Sequence, residues 1–233
     1  MKLYPQALPA VFLERPNRFI ARCRLAGEEV VCHVKNTGRC WELLYPGVRV
    51  WLAPGTTPGR KTAYDLVAAD KGGRVINLDS QAPNRVFEQW AQEGRFLPDL
   101  TSLRPEVRWG ESRFDFAFTA GGREGFAEIK GVTLEEDGIA YFPDAPTQRG
   151  QRHVEQLIQA VHAGYEAFVC FVIPVPGVRG MRPNDRTHPA FGQALLAARA
   201  AGVHLLALGC QVMPEGFSIA APVPLWLPGD AAE

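Results

Sequence analysis

Asp115, Glu128 and Lys130 are the residues whose types and spacing most directly suggest chemistry. They stand in SRFDFAFTAGGREGFAEIKGVT, residues 112–133. SRFDFAFT and GFAEIKGV each alternate polar and apolar residues, the period of a strand with two unlike faces. Between them, Gly121-Gly122 suits the positive φ of a two-residue turn. With that pair as the loop, counting outward sets Asp115 opposite Glu128, Arg113 opposite Lys130 and Ala117 opposite Phe126. Phe114, Phe116 and Phe118 then share the other face with Ala127 and Ile129, an apolar face expected to meet a core. Directly opposed side chains have Cβ atoms about 4.5–5.5 Å apart, and like charges there repel. A hard divalent cation removes the repulsion, since Mg2+ is commonly held by one or two carboxylates with water and phosphate oxygens completing its shell. Lys130 beside it could orient an attacking water or stabilise a crowded phosphate. The same three residues also make an ordinary solvated ion pair of small energetic worth.

Composition narrows the classes of protein. A chain of 233 residues, 46% hydrophobic and 21% charged, can bury one large core or two small ones. Every apolar run is shorter than a membrane span, and the N-terminus lacks the apolar stretch and cleavage site of a signal peptide. A cytoplasmic protein with no membrane partner is expected. The five cysteines (Cys23, Cys32, Cys40, Cys170 and Cys210) are odd in number and form no CxxC, so neither a disulfide framework nor a zinc site is indicated. A net charge of zero argues against a uniformly basic nucleic-acid binder. The charge is uneven, however: residues 1–64 hold ten Lys/Arg and four Asp/Glu, and the remainder holds fifteen and twenty-one. A basic first part and an acidic second part suit a polyanion-gripping module joined to a carboxylate metal site.

Ahead of the hairpin, short strands are expected at Val11–Glu14, Arg18–Leu25, Glu29–Lys35, Val48–Ala53, Thr62–Ala69 and Val75–Leu78, separated by Gly and Pro turns. That spacing reads as a small barrel, with Arg18, Arg22, Lys35, Arg39, Arg60 and Lys61 as candidate contacts to phosphate. Asn36-Thr37-Gly38-Arg39 is a tight loop whose N–H groups could cradle a phosphate under Arg39. Gly59-Arg60-Lys61-Thr62 lacks the upstream glycine spacing of a nucleotide-binding P-loop. Asp79–Asn84 reads as a junction, and a helix is expected over Asn84–Gln92 with Phe87, Trp90 and Ala91 inward. Glu88 lies off that inward face.

After the hairpin, Asp137-Gly138 turns into a third strand, Ile139–Phe142. Asp144 follows, as either a further metal ligand or a turn or capping residue. The next helix starts near Thr147–Gln151, carries the stripe Val154, Leu157, Ile158 and Val161, and ends at Gly164. Arg149, Arg152 and Gln156 lie in its first turns, where the dipole favours anions. His153 reads as a solvated helix histidine or as an acid–base group. A buried strand over Ala167–Val175, a long loop to Pro189, a helix over Phe191–Ala201 and a strand over Val203–Met213 complete the order, with Pro222–Glu233 fraying or packing as an edge.

Asp followed by Glu-x-Lys on the next strand resembles the PD-(D/E)xK nuclease superfamily. HVKNTGR at 33–39, GRKT at 59–62, SRFDF at 112–116 and FPDAPTQRG at 142–150, in this order, are similar to the sugar fermentation stimulation protein A (SfsA) family, over about Leu8 to Met213. The resemblance implies an α/β (α+β) protein, with an N-terminal OB-like β-barrel over 1–80 and a PD-(D/E)xK nuclease-like α/β domain over 81–233. It implies DNA as partner and Mg2+ or Mn2+ as cofactor, held by Asp115, Glu128 and the Ile129 carbonyl, with Lys130 positioning water for phosphodiester cleavage. The alternative it carries is a non-catalytic DNA-binding regulator of sugar (maltose) metabolism that keeps the fold.

Overall fold

The computed structural model describes residues 1–36, 38–57 and 59–230. Thr37 of the 36–39 loop and Pro58 of the turn before Gly59 lie outside them. Strands β1 (Leu8–Asn17), β2 (Ile20–Leu25), β3 (Glu28–Val34), β4 (Arg49–Pro54) and β5 (Tyr64–Lys71) run in the order β3-β2-β1-β4-β5. β3 also pairs parallel with β5, through Cys32↔Tyr64 to Val34↔Leu66, and so closes the barrel. The interior is small and apolar: Phe12, Ala21, Cys23, Cys32, Val34, Val50, Leu52 and Leu66 are buried together. β6 (Arg74–Asn77) returns along β5 through Gly72-Gly73, both at positive φ.

Helix α1 (Ala82–Gln92) then leads into a six-stranded sheet. Its members are β7 (Leu100–Trp109), β8 (Ser112–Ala120), β9 (Arg123–Gly131), β12 (Glu166–Ile173), β14 (His204–Met213) and β15 (Gly216–Val223), ordered β15-β14-β12-β9-β8-β7. β9, β12 and β14 are parallel, joined by helices α2 (Gln148–His162) and α3 (Pro189–Ala201), as parallel neighbours require. A small side sheet holds β10 (Leu134–Glu136), β11 (Ile139–Phe142) and β13 (Gly180–Pro183). Both faces of the large sheet are covered. On one, Val86, Phe87 and Trp90 of α1 meet Phe116, Phe118 and Phe168. On the other, Val154, Leu157 and Ala160 of α2 meet Phe114, Phe126 and Val169. The first of these cores continues into Trp51, Ala53, Val67 and Ala68 on the outside of the barrel, so one apolar cluster ties the two parts together. An OB-like barrel followed by an α/β domain is the architecture the sequence led one to expect.

Three expectations need correction. The hairpin register is as counted from Phe116↔Ala127 to Ala120↔Arg123, with Ala117 paired to Phe126, but the counted pairs Asp115–Glu128 and Arg113–Lys130 lie beyond that ladder, and its faces are not one apolar and one polar. Ala117 and Phe126 are buried under α2, and Phe114 packs there too, with ring centroids of Phe114 and Phe126 5.1 Å apart. Phe114 is thus on the opposite side from Phe116, because the regular alternation of β8 breaks at Asp115. The third strand of the hairpin sheet is β7 rather than Ile139–Phe142, which joins the side sheet. Finally, the long loop after β12 contains β13, and the last strand has an antiparallel partner in β15. Among the described residues no helix is long and apolar enough to cross a membrane.

Candidate metal and phosphate site

The break in β8 places the first carboxylate. The ladder to β9 runs from Ala120↔Arg123 to Phe116↔Ala127. Beyond it the main-chain N–H of Ile129 donates to Asp115 Oδ2 at 2.7 Å, so a side chain takes the bond a strand carbonyl would otherwise accept. Asn84 Nδ2, in the first turn of α1, donates to the other oxygen at 2.8 Å. Burial, and after it the charge of Glu128, push the Asp115 carboxyl above its ordinary range.

Glu128 is buried at the end of β9. Lys130 Nζ and His153 Nδ1 both bond its Oε1, at 2.6 and 2.5 Å. Burial raises this carboxyl as well, but the His153 bond and the Lys130 charge outweigh it and hold Glu128 below the ordinary range. Arg149 Nε donates to His153 Nε2 at 3.4 Å. An arginine N–H only donates, so Nε2 carries the lone pair, and Nδ1 carries the proton it gives to Glu128. Glu128 Oε2 is buried and has no hydrogen-bond partner.

Both carboxylates open onto a cleft of about 560 Å³ at the carboxyl end of β9, where open α/β sheets place their ligands. Two helix N-termini border it, through Asn84 and Arg85 of α1 and through Thr147, Arg149 and Gly150 at α2. Thr147 caps α2 by accepting from the Gly150 N–H at 3.0 Å. The helix dipoles favour an anion there. The charged side chains do not: Arg85, Lys130 and Arg149 face Glu88, Glu106, Asp115 and Glu128. The donors are hard carboxylate oxygens with one oxygen unused, which fits Mg2+ or Mn2+. No cluster of three or more His, Cys, Asp or Glu suited to a metal occurs among the described residues. The protein therefore offers two carboxylates, and water or phosphate oxygens would complete the shell.

The remaining expected residues fall into several places. Arg149 reaches the cleft, and Arg152 and Gln156 line an adjoining groove on the same helix face. Lys35 is tied at 2.7 Å to the buried Asp79, which Tyr4 also bonds at 3.0 Å. Arg60 is forked onto Asp65, and Arg22 lies between Glu14 at 3.4 Å and Glu29 at 3.6 Å. Lys35 and Arg60 thus hold the fold through internal ion pairs. Asn36 accepts from the Gly38 N–H at 2.7 Å, closing its loop. Arg18 and Arg39 border a groove on the barrel, and Lys61 is exposed at the next turn. Asp144 sits against Gly38 in a different crevice and does not join the two carboxylates. The residues that pattern reading missed are Asn84 and the buried role of His153. A signal for His153 existed: it stands four residues before Leu157 and so extends the buried stripe of α2.

Comparison with known proteins agrees with this layout. The profile of the SfsA N-terminal OB domain matches residues 13–78, and that of the sugar fermentation stimulation protein RE domain matches residues 81–216. A sugar fermentation stimulation protein homolog of Desulfitobacterium hafniense (strain DSM 10664 / DCB-2) is 53% identical over 206 residues, which is 88% of this chain and 90% of that one. Its counterpart in Ruminiclostridium cellulolyticum is 47% identical over 214 residues, 92% and 94% of the two chains. The solved structure of Pyrococcus furiosus SfsA superposes with a TM-score of 0.89 at 29% identity, covering 97% of this chain and 100% of that one. The chain belongs to the sugar fermentation stimulation protein (SfsA) family.

Proposed function

We propose that this protein binds DNA and carries a phosphodiesterase site dependent on Mg2+ or Mn2+, formed by Asp115, Glu128 and Lys130. One observation carries the reading: Glu128, which keeps a buried oxygen without a hydrogen-bond partner, lines a cleft whose acidic side chains outnumber its basic ones. A buried acceptor left unsatisfied costs about 1–3 kcal/mol. A cation supplies that partner and reverses the charge a phosphodiester would meet. Asp115, Glu128 and the Ile129 carbonyl would hold it. When bound it polarises the phosphate and makes water a better nucleophile. The P. furiosus relative was solved in complex with Ca2+, which supports a divalent cation on this fold.

The chain's own groups do the rest. Lys130 is fixed by Glu128 at the cleft wall and holds a positive charge where an attacking water and the phosphate meet. His153 holds Glu128 through Oε1, which leaves Oε2 as the oxygen free of hydrogen bonds. Arg149 and the N-termini of α1 and α2 receive the phosphate, and exposed Arg18, Arg39 and Lys61 add to the basic surface of the barrel. Binding alone gains nothing from a buried and a half-buried carboxylate facing a polyanion. The five free, buried cysteines support a reducing, cytoplasmic setting.

The test is cleavage of labelled single-stranded DNA, duplex DNA and RNA with Mg2+, Mn2+ or a chelator. Product should form only with the cation and vanish in Asp115→Asn and Glu128→Gln. Lys130→Ala should lower turnover by about 10²- to 10³-fold, as removal of an oriented charge does. No cleavage by protein that binds DNA, or equal cleavage by the carboxylate variants, would overturn the proposal.

A further inference from the structure

The barrel carries a surface that the phosphodiesterase site does not use. Trp41 is 74% exposed, with Tyr45 at 50% and Phe19 at 44%. Exposed apolar surface rimmed by polar groups marks an interaction site. Trp41 borders a groove of about 460 Å³ together with Arg18, Arg39, Leu44 and Pro46. Arg15 holds both rims. Its guanidinium donates to the carbonyls of Asn36 at 2.6 Å, Gly38 at 2.8 Å and Arg39 at 2.9 Å on one side, and of Arg18 at 2.7 Å on the other. A positive charge therefore lies under the groove, and the loop bearing Arg39 is anchored to the β1–β2 turn. Arg18 lies over the Phe19 ring at 4.8 Å. Glu14 is the acidic side chain of the lining, and Arg22 meets it at 3.4 Å.

We propose that this groove binds single-stranded nucleic acid, one base stacking on Trp41 while the flanking phosphates meet Arg18 and Arg39. The proposal rests on the reading of the protein as a nucleic-acid binder and deepens it by naming the strand state. A single strand offers both things the groove is built for, a free base face and charge on either side of it. A duplex keeps its bases stacked on one another and leaves Trp41 unused. A neutral sugar can stack on Trp41 but leaves Arg18 and Arg39 without a role.

Full-length protein is titrated in the presence of a chelator with oligo-thymidylate, with a duplex of the same length and with maltoheptaose, following tryptophan fluorescence. Of the five tryptophans, Trp51 and Trp90 are buried, Trp109 and Trp226 are half-buried and Trp41 is exposed, so Trp41 should supply most of the quenching by a ligand. Oligo-thymidylate should quench and should bind more tightly than the duplex. Trp41→Ala should remove most of the quench and weaken binding about 5- to 100-fold, the worth of one stacked base, with Trp41→Phe between parent and Ala. Arg18→Ala with Arg39→Ala should reduce the slope of log K against log salt by about 1.4, at about 0.7 per phosphate contact. Parent-like affinity in Trp41→Ala, tighter binding of the duplex, or the same quench from maltoheptaose would overturn the groove. Chelation separates this from the proposed chemistry. Absent cleavage with an intact Trp41 quench sinks the phosphodiesterase alone; intact cleavage with a Trp41→Ala variant that binds like the parent sinks the groove alone.

Discussion

Glu135 gives a prediction whose size follows from the structure. It is 3% exposed and accepts from Lys71 Nζ at 2.8 Å, Arg74 Nη2 at 2.9 Å and the Gly138 N–H at 2.6 Å. Lys71 and Arg74 stand on the β5–β6 hairpin and Glu135 on β10, so the cluster clamps the barrel to the second half of the chain. Burial pushes the Glu135 carboxyl up, but the bonds from Lys71, Gly138 and Arg74 prevail and hold it at about 2, against an ordinary 4.5. At about 1.4 kcal/mol per unit this is on the order of 3 kcal/mol. Arg74 is 37% exposed and partly screened, which trims the figure to about 2 kcal/mol. The folded-state pKa is depressed, so the stabilisation is complete above the unfolded value and is lost as pH falls toward about 2. Glu135→Gln keeps the shape and an acceptor for Gly138 while removing the charge. At neutral pH it should lower stability by about 2 kcal/mol, or the melting temperature by about 4–8 °C for a chain of this length. Unfolding free energies of parent and variant from urea titrations, measured from pH 7 to 3.5, should converge by about 1 kcal/mol. A gap that is absent, or that stays constant or widens on acidification, would refute the reasoning.

The two carboxylates of the cleft should differ. Asp115 is charged at a cost to the fold above its raised pKa, so Asp115→Asn should match or exceed the parent in melting temperature without metal. Glu128→Gln deprives Lys130 and His153 of a charged acceptor and should lose about 1–3 kcal/mol. Both should abolish the Mg2+-induced rise in melting temperature, read by thermal scans with and without the ion. His153→Gln should weaken cation binding by about 10- to 100-fold in calorimetry while DNA affinity under chelation is unchanged, because it acts by orienting Glu128.

Much of the hairpin was legible because a glycine pair fixes the count on both strands. Chain counting could not show that Asp115 bonds the Ile129 N–H with its side chain, or that Phe114 packs on the α2 side. β7 was obscured by Pro105 and by its exposed, weakly alternating sequence, both tolerated because it is the edge strand. β13 is four residues long and pairs with a strand some forty positions earlier, so no local pattern marks it. The cation inventory overstated the free positive charge of the barrel, since the partners of Lys35 and Arg60 are set by tertiary contact. Trp41 carries no sequence signal to separate it from a core tryptophan; only its exposure does. His153 and Glu128 lie 25 positions apart and meet because α2 packs over β9. Asp115 and Glu128 looked equivalent in the hairpin alone, and the bond from His153 helps make the two carboxylates unlike.

The most direct measurement of the central claim is anomalous diffraction from crystals of the parent soaked in Mn2+. The account predicts a peak in the cleft beside Glu128 Oε2, shared with Asp115 and the Ile129 carbonyl, and no such peak in Asp115→Asn or Glu128→Gln crystals soaked alike. Parent crystals saturated with Mn2+ that show no peak in that cleft, or the same peak in both carboxylate variants, would contradict it.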